Sequence, residues 1–309
     1  MDIQKEINEI IGFKNLELLA HQVVEGFISG LHKSPFHGFS AEFAEHKIYN
    51  QGESTKHIDW KLYARTDKLF TKRYEEETNL RCHLIIDNSS SMHYPSIKEY
   101  RINSLNKISF SVLASATIMD LLKRQRDAVG LSIYSDVYEY FSSEKGSERH
   151  HQMLLDKLNK VLFPSKKEKG TKTYTYLHEI AEKLKRRSMV FLFTDMFQSD
   201  LEAKKLFEAL QHLKYNKHEV ILFHVYDREK EIEFGFSNKP RRFIDVETGE
   251  HIDLYAENIK ENYEEAIEAY FRALKLQCGQ YRIKYVPVDI QGDFTTILTT
   301  YLIERHKFG

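Results

Sequence analysis

Cysteine is scarce in this chain of 309 residues: there are two, Cys82 and Cys278, far apart. Such a pair makes no disulfide framework and fits a reducing compartment. Proline and glycine are also few, at 5 and 13 residues, which argues against long disordered linkers. Net charge is almost absent. The 45 basic and 46 acidic side chains leave −1, so bulk electrostatics give no reason to expect nucleic acid or an anionic membrane as partner. Long apolar runs are missing as well. MVFLF and VILFHV are strand-length, well short of the ~18 residues of a membrane span. The opening residues, MDIQKEINEI, carry acids and no apolar stretch of signal-peptide type. These absences predict a cytoplasmic protein with no direct membrane span.

What is present is core material, with 41% hydrophobic and 13% aromatic residues. The chain has two textures. Residues 1–79 begin with a helical pattern over 4–28 (Ile7, Ile10, Ile11, Leu18, Leu19, Val23) and continue as an irregular, aromatic-rich stretch. From Leu80 onward, strand and helix patterns alternate. Strands are predicted at 80–87, 128–136, 137–143, 188–195, 218–227 and 280–290. Helices are predicted at 98–127, 147–163, 175–187, 201–216, 257–279 (stopped by Gly279) and 293–309. A strand-rich insertion near 228–255 carries the hairpin tip ETGE. The alternation predicts an α/β domain over 80–309 with a doubly wound, mostly parallel sheet and helices on both faces. Residues 1–79 are then an N-terminal extension. In such folds ligands bind beyond the carboxyl ends of the strands, which is where Asp87 and Asp195 fall.

LIIDNSSSM, Leu84 to Met92, ends an apolar run at an acid followed by hydroxyls. Alone it reads as a helix cap. Asp87, Ser89 and Ser91 alternate, however, and in a loop their oxygens can converge on one point. One carboxylate and two hydroxyls suit Mg²⁺ (or Mn²⁺), a hard ion that keeps some of its waters. Further oxygens are available from Asp195 in FLFTD and from Thr171, Thr173 or Thr175 in GTKTYT.

This pattern of Asp-x-Ser-x-Ser, a later Thr and a later Asp resembles the metal-ion-dependent adhesion site of von Willebrand factor A domains. The resemblance implies a ligand set of Asp87, Ser89, Ser91, Thr171 and Asp195, with the aspartates acting through water. Thr171 is favoured because it follows Gly170 and precedes the helical pattern. The glycine usual after Thr-Asp is here Met196. Upstream, Lys47, Tyr49, Gly52, Glu53, Ile58-Asp59-Trp60, Ala64-Arg65 and the acids Glu75 to Glu77 are similar to the domain-of-unknown-function 58 family. Lys47 and Glu53 stand where Arg and Asp are more usual, and Lys47 loses the bidentate geometry. That resemblance implies a von Willebrand factor A-like fold and a MoxR-type AAA+ ATPase, or its client, as partner. This chain looks like a short soluble form of the family.

The Ile-Asp-Trp segment is expected to brace the main domain, with Trp60 covered and Asp59 paired with Arg65. The 15 histidines show no zinc motif and are expected on the surface. No Gly-x-Ser-x-Gly elbow frames the serines, and position 89 is Ser where a phosphoryl-transfer site would place a second acid. We therefore expect a non-enzymatic protein-binding module, in which a partner's acidic side chain completes the metal's coordination. The alternatives are a metal-dependent hydrolase or phosphatase and a structural adaptor with a vestigial metal site.

Overall fold

The computed structural model describes residues 15–30, 46–48, 60–72, 80–97, 100–102, 104–163, 173–196, 200–237 and 239–294. Backbone contacts divide the chain into two compact units, residues 34–79 and the remainder. Helix α1 (Leu16–Gly30) thus belongs with the sheet unit and not with the rest of the expected extension. In the smaller unit β1 (His46–Ile48) pairs antiparallel with β2 (Phe70–Lys72), and α2 (Trp60–Thr66) is a two-turn helix. Trp60, expected to be covered, is 62% exposed and meets the Tyr63 ring edge-on at 6.2 Å. Arg65 is exposed, and Asp59 lies outside the described residues.

The larger unit is built on β3 (Arg81–Asp87), β4 (Ala128–Tyr134), β5 (Tyr138–Lys145), β6 (Met189–Thr194), β7 (Glu219–Tyr226) and a last strand, β10 (Lys284–Asp289). Between β7 and β10 a separate hairpin is formed by β8 (Pro240–Ile244) and β9 (His251–Tyr255). Across the sheet the order is β10-β7-β6-β3-β4-β5. Counted along the chain this is the doubly wound order 3-2-1-4-5-6. Five strands are parallel, and β5 folds back antiparallel on β4 at the edge. This is the mixed α/β, doubly wound architecture that the alternating pattern predicts, and it agrees with the von Willebrand factor A-like fold that the resemblance implies.

Successive side chains of each strand face opposite ways, and both faces are covered. Leu84, Ile86, Phe191 and Phe193 pack under α1, α3 (Lys107–Arg124) and α4 (Glu148–Val161). Ile85, Val190 and Leu192 pack against α5 (Thr173–Lys183), α6 (Asp200–Tyr215) and α7 (Lys260–Gln280). Among the described residues no helix is long and apolar enough to cross a membrane.

Three further expectations are corrected. Helix α3, predicted over 98–127, starts only at Lys107. Asn106 accepts from the Ser109 N–H and the Ser109 hydroxyl accepts from the Asn106 N–H, a reciprocal cap that fixes the start. Helix α7 does not stop at Gly279. It runs to Gln280, and Arg282 takes the left-handed turn (φ 54°) while the Ile283 N–H bonds the Cys278 carbonyl. The histidines are not all superficial, since His83, His150, His151, His218 and His224 are buried. Polar partners make this tolerable for His83, whose ring nitrogens meet Glu144 at 2.8 Å and Ser132 at 2.7 Å. Gly130 is the reason the ring fits, because a Cβ there would lie 2.6 Å from His83 Nδ1. The predicted helix at 293–309 lies almost entirely outside the described residues.

Helix α3 is buried on nearly all sides. Its outward face is apolar, and α1 covers it with Leu16, Leu19, Ala20 and Val23. Ion pairs at the rim, such as Arg124 to Glu25 at 2.7 Å, are exposed and contribute little. We predict that Leu19→Ala, at a position with 0% exposure, costs about 2–4 kcal/mol. Urea unfolding would read this as a lower midpoint at unchanged slope. A loss under about 0.5 kcal/mol would mean that α1 is not part of the core.

Candidate metal centre

The chain leaves β3 for β4 on one side and returns to the other side as β6. The loops after β3 and β6 therefore diverge and open a crevice at the carboxyl ends. Asp87 ends β3, and Asp195 follows the last residue of β6. Both are buried, at 1% and 4% exposure.

The Asp87 carboxylate is held from two sides. The Ser89 N–H donates to Oδ1 at 3.0 Å, and the Thr194 hydroxyl, from the neighbouring strand, donates to Oδ2 at 2.9 Å. Ser89 is extended and leads into a short 3-10 turn, Ser90–His93. That turn brings the Ser89 and Ser91 hydroxyls to 3.0 Å. Burial, and then the charge of Asp195, push the Asp87 carboxyl up to about 7, against the lowering effect of its hydrogen bonds.

Asp195 is tied to a lysine. Lys107, 1% exposed at the start of α3, donates to Asp195 Oδ2 at 2.9 Å and to Glu231 Oε1 at 2.6 Å. Burial works against the ammonium, but the two carboxylates hold its pKa above the ordinary lysine value. Glu231 also accepts from the Asp227 N–H at 2.7 Å, and burial raises its carboxyl. His224 fixes the Asp195 backbone by donating from Nε2 to its carbonyl at 2.6 Å, and the Tyr285 hydroxyl bonds Nδ1 at 2.8 Å. Burial lowers this imidazole to about 4, so it stays neutral. Met196, in place of the usual glycine, sits in the left-handed region at φ 58°. Its side chain is buried and its carbonyl accepts from the Tyr270 hydroxyl. Those contacts hold a conformation that disfavours any residue with a Cβ.

A further acid arrives from the β8–β9 hairpin. Burial raises the Glu247 carboxyl to about 7, and the charges of Asp195 and Asp87 push the same way. Tyr134 completes the surroundings. Its hydroxyl lies near Asp87, Thr173 and Thr194, is buried, and has no hydrogen-bond partner among the described residues.

These oxygens fit a small divalent cation. With metal–oxygen bonds of about 2.1 Å, adjacent ligands of an octahedron lie roughly 3 Å apart, the spacing of the two serine hydroxyls. Among the described residues the acids outnumber the lysine that pairs with them, and the Tyr134 hydroxyl lacks a partner, as at the edge of a polar site. Among the described residues no group of three or more His, Cys, Asp or Glu side chains is arranged to hold a metal. A site here therefore depends on the serines.

Of the ligand set expected from sequence, the structure brings Asp87, Ser89 and Ser91 into one cluster, with Asp195 close enough to act on Asp87 electrostatically. Thr171 lies outside the described residues, as do Tyr49, Gly52, Glu53, Ile58 and Glu75 to Glu77. Thr173 is buried beside Tyr134, whereas Thr175 is exposed. Sequence reasoning missed Thr194, Lys107, His224, Glu231 and Glu247. One signal was available: a lysine directly after an N-cap opposes the helix dipole and calls for acidic partners. Thr194 was legible too, one residue before Asp195 in FLFTD.

A family model described as "Protein of unknown function DUF58" matches residues 45–271, and the chain belongs to that family. Among curated proteins, the uncharacterized proteins Rv1480 of Mycobacterium tuberculosis (strain ATCC 25618 / H37Rv) and Mb1516 of Mycobacterium bovis (strain ATCC BAA-935 / AF2122/97) are 27% identical over 81 residues. The match spans 26% of this chain and 26% of each relative. Among solved structures, BatB from Bacteroides thetaiotaomicron matches 74% of this chain and 100% of its own at 15% identity, with a TM-score of 0.42. An aerotolerance-related membrane protein from Bacteroides fragilis NCTC 9343 matches the same shares at 14% identity and 0.44. The SpRpn10 VWA domain matches 48% of this chain and 76% of its own at 12% identity and 0.32.

Replacing Lys107 strands Asp195 and Glu231 as buried charges. We predict that Lys107→Met destabilises the fold by about 3–5 kcal/mol at neutral pH. An uncompensated carboxylate has a folded pKa above its unfolded value near 4, so its cost is full above the folded pKa and vanishes below the unfolded one. The deficit against wild type should therefore shrink as pH falls from about 7 toward about 4, measured by urea unfolding at several pH values. A pH-independent deficit would contradict the ion-pair assignment.

Proposed function

We propose that this DUF58-family chain is a non-catalytic, metal-dependent protein-binding module. Mg²⁺ (or Mn²⁺) is held by Ser89 and Ser91, with Asp87 and Asp195 acting beside it, and a partner's Asp or Glu supplies a further ligand. The observation that carries this reading is the convergence of the Asp87 carboxylate and the Ser89–Ser91 hydroxyl pair at the switch point of the sheet. Two neutral hydroxyls neutralise little of a divalent ion's charge, so the bound ion stays electropositive and attracts an incoming carboxylate. Asp195 is held by Lys107, which orients it as an outer partner of the ion. The MoxR-type AAA+ ATPase, or its client, is the partner implied by the family resemblance, and the cytoplasm is the compartment that goes with it.

A second reading, a metal-dependent hydrolase on the same scaffold, is favoured by the acids. Glu231 and Glu247 join Asp87 and Asp195 near the crevice, and metal-assisted hydrolysis uses carboxylates to activate water. A screen of generic phosphate esters with Mg²⁺ or Mn²⁺ separates the two readings; turnover lost in Asp87→Asn would establish the hydrolase.

For the binding module, an affinity pull-down from native cells with and without EDTA is the direct test. Partner capture should need divalent metal and should fall at least about tenfold in Asp87→Ala. Capture that is indifferent to both the chelator and the substitution would refute the metal bridge.

A further inference from the structure

We propose that Asn88 is a positioning residue of the cation site: its side chain, bonded to Glu139 on one side and to His93 on the other, holds the Ser89 and Ser91 hydroxyls at ligand spacing without touching the ion. This rests on the metal-site reading above. It adds a residue between Asp87 and Ser89 that the ligand pattern passes over, and it extends the site to the edge strand β5.

The backbone of Asn88 still belongs to the sheet. Its N–H donates to the Tyr134 carbonyl at 2.7 Å, one step beyond the last residue of β3. Its side chain therefore leaves the sheet on the opposite face from Asp87. Asn88 is 5% exposed, so its amide needs internal partners. Nδ2 donates to Glu139 Oε2 at 2.9 Å, and Oδ1 meets His93 Nε2 at 3.0 Å. The chemistry fixes both roles. A carboxylate only accepts, so the NH₂ group must face Glu139. The amide oxygen then accepts from His93, which carries a proton on Nε2.

Each partner is itself anchored. The other Glu139 oxygen, Oε1, accepts from the Ser135 hydroxyl at 2.7 Å. Ser135 in turn closes the β4–β5 connection by donating its N–H to the Val137 carbonyl at 2.9 Å. His93 ends the 3-10 turn, and its carbonyl accepts from Asn106 Nδ2, the cap of α3, at 3.1 Å. The bond from His93 to Asn88 thus closes a ring, residues 88–93, that contains both serines. Within it the Met92 N–H bonds the Ser89 carbonyl at 3.2 Å, and the two hydroxyls lie 3.0 Å apart. The ring is clamped to β5 at one end and to α3 at the other.

The ligand spacing needs such a clamp. A serine oxygen turns about a single bond, so it ligates reliably only where the backbone beneath it is fixed. Hydrogen bonds behind metal ligands commonly carry this task, and losing one costs about 10–100-fold in affinity.

The test uses the full chain with Mn²⁺ alone as probe. It compares wild type, Asn88→Leu, the double variant Asn88→Asp with Glu139→Gln, and Asp87→Ala. Asn88→Leu keeps the volume and removes both bonds. The double variant reverses the polarity of the bond to β5 and leaves the net charge unchanged. Its new amide donates to the new carboxylate and still accepts from Ser135. Calorimetry gives the Mn²⁺ affinity, water-proton relaxation counts the waters on the ion, and urea unfolding gives the stability. A positioning role predicts Mn²⁺ binding about tenfold weaker in Asn88→Leu, with more water on the ion, and recovery to within about threefold of wild type in the double variant. A folded double variant that binds no better than Asn88→Leu would overturn the bond to Glu139. If Asp87→Ala abolishes Mn²⁺ binding while Asn88→Leu changes only the unfolding midpoint, Asn88 is structural and the metal site stands. If Mn²⁺ at millimolar concentration binds none of the four proteins, both readings fall.

Discussion

An imbalance of buried charge organises this end of the molecule. Among the described residues, Asp87, Asp195, Glu231 and Glu247 act on one another electrostatically, and Lys107 is the cation paired with two of them, Asp195 and Glu231. Lys107 is shared between Asp195 and Glu231, so its charge is committed on that side. Asp87 and Glu247 are left with hydroxyl and amide donors, which lower a carboxyl's pKa but do not neutralise it. Both are pushed to about 7. The divalent cation proposed for the serines would supply the missing counter-charge.

The scaffold keeps that imbalance from collapsing. Parallel pairing of β3 with β6 sets Ile86 opposite Phe193, so the next residues, Asp87 and Thr194, meet across the two strands. Asp195 is turned aside by a left-handed residue and held there through its own carbonyl by His224. Because the imidazole is neutral, it serves as a donor without adding charge. The reciprocal cap at Asn106 starts α3 where Lys107 can point into the crevice, and the helix is locked by α1 on its outer face. Each contact that shapes the site is therefore also a contact that holds the fold, so the proposed metal binding would be coupled to stability.

Much of this was legible in the sequence. Buried parallel strands are near-continuous apolar runs, so LRCHLIID and SMVFLFTD marked themselves and placed Asp87 and Asp195 at strand ends. Asp87, Ser89 and Ser91 followed from their alternation. The residues that escaped belong to long-range geometry. Lys107 was hidden inside a helix predicted nine residues too early, because the sequence from 98 onward carries helix-forming residues and only the Asn106–Ser109 pair marks the true start. Glu247 was seen as part of a turn, but nothing local tells where a hairpin tip lands. The buried histidines were misjudged because a satisfied imidazole depends on partners such as Glu144, which lies 61 residues from His83. Met196 read as a departure from the family pattern. The backbone keeps the glycine-like conformation all the same, and the cost falls on a buried side chain.

The central claim is that Ser89 and Ser91, supported by Asp87, bind a divalent cation directly. Anomalous diffraction from crystals grown with Mn²⁺ tests it most directly. The account predicts one peak between the two hydroxyls, at a distance close to the ~2.1 Å of a bonded small divalent ion, and its disappearance in Asp87→Ala. Crystals that contain Mn²⁺ elsewhere but show no density between Ser89 and Ser91 would contradict it.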